Sequence, residues 1–91
     1  PTEIINSTGQ RLNIDGLEFV FQNAPGSEAP AELTFAIPEL SAYCGAEVAT
    51  RTLHNLYTLR GAKGRDALKW SAYIDEMITL SADSNVYFAS H

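Results

Sequence analysis

The chain is poor in the residues that most often announce chemistry. Of its 91 residues one is cysteine and two are histidine. A lone Cys44 excludes an internal disulfide, and its place in an apolar run suits a buried, inert thiol. There is no serine–histidine–acid or cysteine–histidine arrangement and no glycine-rich phosphate loop. No stretch is long and apolar enough to span a bilayer. Positive charge is also scarce. Six Lys and Arg against eleven Asp and Glu leave a net charge of −5, which argues against nucleic-acid binding. A chain of this size is one domain or less, with a modest core, because small domains bury a smaller share of their surface.

The few cations are concentrated. Arg51, Arg60, Lys63, Arg65 and Lys69 fall within nineteen residues that hold one acid, Asp66, so this stretch is +4 while the chain is −5. A local basic patch on an acidic protein suits a small anionic ligand better than a polymer. A solvated helix face accounts for the same charges.

Leu12 and Ile14, then Asp15-Gly16, then Leu17, Phe19 and Phe21 predict a β-hairpin, since Asp-Gly supplies the positive φ angles of a tight turn. Residues 4 to 8 suggest a further edge strand. Two prolines, a glycine and a serine mark Asn23 to Ala31 as a loop. A strand is expected over 32–37, with Leu33, Phe35 and Ile37 on the core face and Pro38 ending it. A turn at Glu39-Leu40-Ser41 leads to a second strand, Ala42 to Val48. Leu53, Leu56, Tyr57 and Arg60 recur at helical spacing, so 50–60 reads as a short helix. The clearest helix spans 65–80, with Ala67, Trp70, Ile74, Met77 and Ile78 as its apolar stripe opposite Lys69, Asp75 and Glu76. Val86 to Ala89 reads as a short buried strand. The expected class is α+β, an antiparallel or mixed sheet with helices on one face.

Pro25-Gly26-Ser27-Glu28-Ala29-Pro30, a strand, and Tyr43-Cys44-Gly45-Ala46-Glu47 stand in the frame of the P-G-H-T-P-G and G-D metal motifs, with glutamates where histidine and aspartate are common. Together with His54-Asn55-Leu56-Tyr57-Thr58-Leu59-Arg60-Gly61-Ala62 and Ala89-Ser90-His91, this pattern resembles the alkyl sulfatase branch of the metallo-β-lactamase superfamily, over roughly residues 17 to 91. The resemblance implies a two-zinc sulfuric-ester hydrolase acting on alkyl sulfates. It implies that the chain supplies about half of a four-layer αβ/βα sandwich. Members of that branch carry an H-x-H-x-D-H motif upstream of this segment, and none is present in this chain, so it is expected to be a piece of a longer enzyme and inactive alone.

The resemblance also assigns residues. Glu28, Glu47 and His91 are implied as zinc ligands, His91 being the first of a histidine pair in which one member ligates. Glu32 matches no ligand position. Asn55, Arg60 and Arg65 are implied to grip the sulfate. The chemistry agrees, because guanidinium forks hold oxyanions bidentately and stay charged. Arg65 falls near a helix start, where backbone N–H groups favour anions. Tyr43 and Tyr57 are expected in the core, and His54 in a structural or solvent-facing role. The expected partners are an alkyl sulfate, and either a missing N-terminal half or further copies of the chain in a homo-oligomer. The competing function is a non-catalytic binding or assembly module that keeps an oxyanion site.

Overall fold

The computed structural model describes residues 3–27, 31–49 and 67–90. They form strands β1 (Arg11–Ile14), β2 (Leu17–Asn23), β3 (Leu33–Ile37) and β4 (Ala42–Cys44), helix α1 (Ala67–Leu80) and strand β5 (Val86–Phe88). The five strands make one sheet in the order β1-β2-β3-β4-β5. The first four run as an antiparallel meander, and β5 joins β4 in parallel. The architecture is α+β.

Local chemistry sets the turns. Asp15 and Gly16 both take positive φ, 51° and 85°, the combination a two-residue hairpin requires, and the Gly16 N–H donates to Asn13 Oδ1 at 3.1 Å. After β3, Pro38–Leu40 forms a single 3-10 turn. The segment expected as a strand at 4–8 is not one. The Gln10 side chain donates to Ile4 O at 2.7 Å and accepts the Asn6 N–H at 3.2 Å. Those bonds turn the segment back on itself, and the ladder with β2 begins only around Gly9, whose N–H donates to Phe21 O at 2.8 Å.

The sheet has two chemically different faces, and α1 lies on the less obvious one. Its buried cluster joins Ala24, Ala36, Tyr43 and Val48 to Met77, flanked by Val20, Trp70, Tyr73, Ile74 and Leu80. The apolar stripe of the helix therefore includes Tyr73 and Leu80, and Ile78, expected within it, is 63% exposed. At 100° per residue Ile78 lies a quarter-turn past the buried Met77, on the solvent side. Phe35, expected on the core face with Leu33 and Ile37, lies instead on the face away from α1, where it packs on Phe19 at 5.4 Å and on Phe88 at 6.1 Å between ring centres; Phe21 and Ile37 on that face are nonetheless buried. Among the described residues no helix covers that face. β5 is not the buried strand expected: it is an edge strand, paired on one side only, and Val86, Tyr87 and Phe88 are 53%, 51% and 41% exposed.

Beneath α1 the sheet carries a closed polar network. Gln22, Thr34 and Tyr43 have side chains almost wholly removed from solvent. Thr34 Oγ1 lies 2.8 Å from Gln22 Oε1 and 2.6 Å from Tyr43 Oη. Gln22 Nε2 donates to Tyr73 O at 2.8 Å, linking three strands to the helix. Buried polar groups partnered in this way fix one arrangement of sheet and helix, because any shift leaves an unsatisfied group in a dry interior.

Candidate metal centre at one end of the sheet

Glu47 does not end a strand. Pairing of β4 with β3 stops at Cys44, opposite Phe35, and the chain enters a tight turn. The Gly45 N–H donates to Phe88 O at 2.9 Å and the Val48 N–H to Gly45 O at 3.0 Å. Ala46 takes φ 47°, a left-handed conformation that costs a residue with a Cβ about 1–2 kcal/mol. Two contacts from elsewhere in the fold hold this turn in place. The Trp70 indole donates from Nε1 to Val48 O at 2.7 Å. Tyr87 crosses directly over Gly45, stacked on Tyr43 at 6.0 Å. Glu47 itself is half-buried.

The loop between β2 and β3 is closed at its base by Ala24 N–H, which donates to Glu32 O at 2.9 Å. Within it Gly26 takes φ 78°, Ser27 is buried with its hydroxyl donating to Ala24 O at 2.7 Å, and the Tyr73 hydroxyl donates to Pro25 O at 2.9 Å. Glu32 accepts the Leu33 N–H through Oε1 at 3.3 Å. Ala24 and Val48 belong to one buried cluster, so this loop and the Glu47 turn leave the sheet at the same end. The third segment arrives there too. Parallel pairing puts Phe88 beside Cys44, and the Ser90 N–H donates to Ala46 O at 3.4 Å.

Of the six residues implied by the resemblance, Glu47 is described. Glu28, His91, Asn55, Arg60 and Arg65 lie outside the described residues, as do His54 and the helix expected at 50–60. Among the described residues no group of three His, Cys, Asp or Glu is placed to hold a metal. The described neighbours of Glu28 and His91, namely Ser27 and Ser90, do sit at the end of the sheet that carries Glu47. A donor set of carboxylates and imidazole is one that zinc accepts. An open cleft of about 320 Å³, lined by Ala36, Pro38, Ser41, Leu80, Asp83 and Ser84, lies at the opposite end of the sheet and contains none of these residues. No helix among the described residues is long and apolar enough to cross a membrane.

Burial governs the titration of the two tyrosines behind the Glu47 turn. Removal from water pushes the Tyr43 phenol up to about 12, against the opposing effect of its hydrogen bond with Thr34. Burial also raises the Tyr87 phenol, with Cys44 nearby adding to it. Both remain neutral hydrogen-bonding groups at any physiological pH.

Sequence reasoning did not single out Trp70, Tyr73 or Tyr87 as supports of this end of the sheet. The available signal was chemical: Trp and Tyr carry a polar tip on an apolar body and find a partner when buried, and Trp70 and Tyr73 are three residues apart on one helix.

No family model matches the chain. The chain is 52% identical over its whole length to a linear primary-alkylsulfatase of a Pseudomonas species. It is 42% identical to an alkyl/aryl-sulfatase of Saccharomyces cerevisiae, again over its whole length, and 37% identical over 91% of its length to an (R)-specific secondary-alkylsulfatase of Pseudomonas. Among solved structures it superposes along its whole length on a stereoselective inverting sec-alkylsulfatase from Pseudomonas, with a TM-score of 0.91 and 35% identity. In the first two of these relatives, and in the solved structure, the chain covers 14% of the other protein's length.

Proposed function

The chain belongs to the alkyl sulfatase family, and from that premise we propose that it is a segment of a zinc-dependent sulfuric-ester hydrolase acting on alkyl sulfates. In this reading Glu28, Glu47 and His91, or the histidine that follows it in the family pattern, belong to a two-zinc centre, and Asn55, Arg60 and Arg65 bind the sulfate group. The observation that carries the reading is convergence. The β2–β3 loop, the turn after β4 and the segment after β5 meet at one end of the sheet, with Ala24 and Val48 in one core and Ser90 bonded to Ala46.

When bound, zinc supplies Lewis acidity and a water of lowered pKa. The chain's own residues do the rest. Glu47 would offer its carboxylate from a turn whose backbone is held by Trp70 at Val48 O and by Ser90 at Ala46 O. Arg60 and Arg65 meet the negative charge of the sulfate with guanidinium forks, and Asn55 adds a neutral amide donor. Those contacts would orient the ester and stabilise negative charge on the sulfate group.

The test uses the full-length protein that carries this chain. It is expected to contain zinc and to release sulfate from dodecyl sulfate, and Glu47→Ala is expected to abolish both. A full-length protein that holds zinc-independent sulfatase activity, or a Glu47→Ala variant as active as wild type, would overturn the reading. Sulfate binding without turnover would instead favour a non-catalytic module with an oxyanion site.

A further inference from the structure

Helix α1 reaches both of the loops that bear the proposed carboxylate ligands, and it does so with two side chains one turn apart. Trp70 Nε1 donates to Val48 O at 2.7 Å, the carbonyl of the residue after Glu47. The Tyr73 hydroxyl donates to Pro25 O at 2.9 Å, three residues before Glu28. Gln22 Nε2 donates to Tyr73 O at 2.8 Å, which anchors the same helical turn to the sheet from which both loops emerge. The loops themselves belong to different strand connections, and loops hold functional groups less accurately than helices or strands do. A metal site requires its ligands within about 0.5 Å of their working positions.

We propose that Trp70 and Tyr73 are positioning residues that fix the separation of the Glu28 loop and the Glu47 turn, through hydrogen bonds to Pro25 O and Val48 O. The inference rests on the reading that these two glutamates hold zinc. Neither side chain supplies a metal ligand or a proton. Each acts through a backbone carbonyl, and the rigid 14-residue helix makes the two anchors one unit. Groups that orient metal ligands in this way are commonly worth about 10–100-fold in metal affinity.

Two single-donor deletions in the full-length protein test it: Trp70→Phe, which keeps an aromatic ring and loses the indole N–H, and Tyr73→Phe, which loses only a hydroxyl. Zinc affinity is read by competition with a chromophoric chelator, alongside steady-state kinetics on dodecyl sulfate. Each variant is expected to bind zinc about tenfold more weakly, with turnover restored by saturating zinc and KM within about twofold of wild type. Ser71→Ala is the control, because its hydroxyl bonds only within the helix, to Leu68 O at 2.8 Å. Tyr73→Phe keeps the test decisive if Trp70→Phe lowers stability, since its hydroxyl lies near the surface. Unchanged zinc affinity in Tyr73→Phe, beside a wild type that binds zinc and turns over, overturns the proposal. So does a Trp70→Phe protein that melts earlier but binds zinc normally. A wild type without zinc removes the premise as well, and its metal content tells that failure from the other.

Discussion

Tyr87 lies so close over Gly45 that a Cβ on the glycine would overlap its hydroxyl and stand 2.6 Å from its ring carbon Cζ and 3.3 Å from Ala49 Cβ. The missing side chain lets β5 close over the start of the Glu47 turn, with the Tyr87 ring against Tyr43 and its hydroxyl 3.8 Å from Met77 Sδ.

Gly45→Ala is therefore expected to destabilise the fold by about 1–3 kcal/mol, the usual range for overpacking. The clash is with one side chain, so the cost depends on that side chain. In a Tyr87→Ala background the same substitution is expected to cost less than about 0.5 kcal/mol, a strong coupling between the two positions. Denaturant unfolding of the four proteins of this cycle measures it, and additive effects would show that the contact is not what requires glycine.

Tyr43 makes stability depend on alkaline pH. Its phenol titrates near 10 in an unfolded chain and is pushed up to about 12 in the fold. Below pH 10 both states keep the proton and the contribution is fully present. Between 10 and 12 only the unfolded chain releases it, so stability falls as pH rises, by on the order of 2 kcal/mol across the window. Melting temperature measured against pH should show this limb, and Tyr43→Phe should flatten it. That substitution also strips Thr34 and Gln22 of a partner, so at neutral pH it is expected to cost about 1–2 kcal/mol.

What the sequence revealed follows the range of the interactions. The hairpin at Asp15-Gly16 and the helix ending at Leu80 are written locally, in turn chemistry and apolar spacing. The end of β4 is not. Gly45 leaves the β3 ladder because Phe88 O and Tyr87, more than forty residues on, claim its N–H and the space above it. The face that α1 chooses was hidden for a related reason: Phe19, Phe21 and Phe35 are the more apolar alternates, yet the helix seats on Val20, Ala36 and Tyr43, where Gln22 and Thr34 satisfy each other. At the site, Glu47 stood out only through its family frame. Trp70 and Tyr73 had no such frame, and their acceptors are backbone carbonyls 22 and 48 residues away, which no local pattern encodes.

The chain by itself is expected to be inactive toward alkyl sulfates. A two-zinc centre takes roughly six to seven protein ligands, three or four to each metal with sharing, and the proposed set here is Glu28, Glu47 and His91. Purified 91-residue chain should release no more sulfate from dodecyl sulfate with added zinc than its Glu47→Ala variant does. A clear excess over that variant would mean that the ligands present suffice.

The aromatic face sets the last expectation. Phe19, Phe21, Phe35 and Phe88 form a continuous row across the sheet, on the side away from α1; Phe21 is buried, Phe19 and Phe35 are half-buried, and Phe88 is 41% exposed at the edge strand. In the four-layer sandwich implied by the family resemblance, such a face packs against a second sheet. Contiguous apolar surface beyond a few hundred Å² is uncommon on a soluble monomer, and edge strands attract partners. The isolated chain is therefore expected to self-associate through this face, by sheet stacking rather than through the solvated side of α1. Phe88→Asp should shift it toward monomer, because a carboxylate placed among the phenylalanines would lose its hydration in the stacked form. Light scattering at high protein concentration is the measurement. A stable mass near that of one chain in the wild type, or no change on Phe88→Asp, would mean that the face is covered by the chain's own residues and has no need of a second sheet.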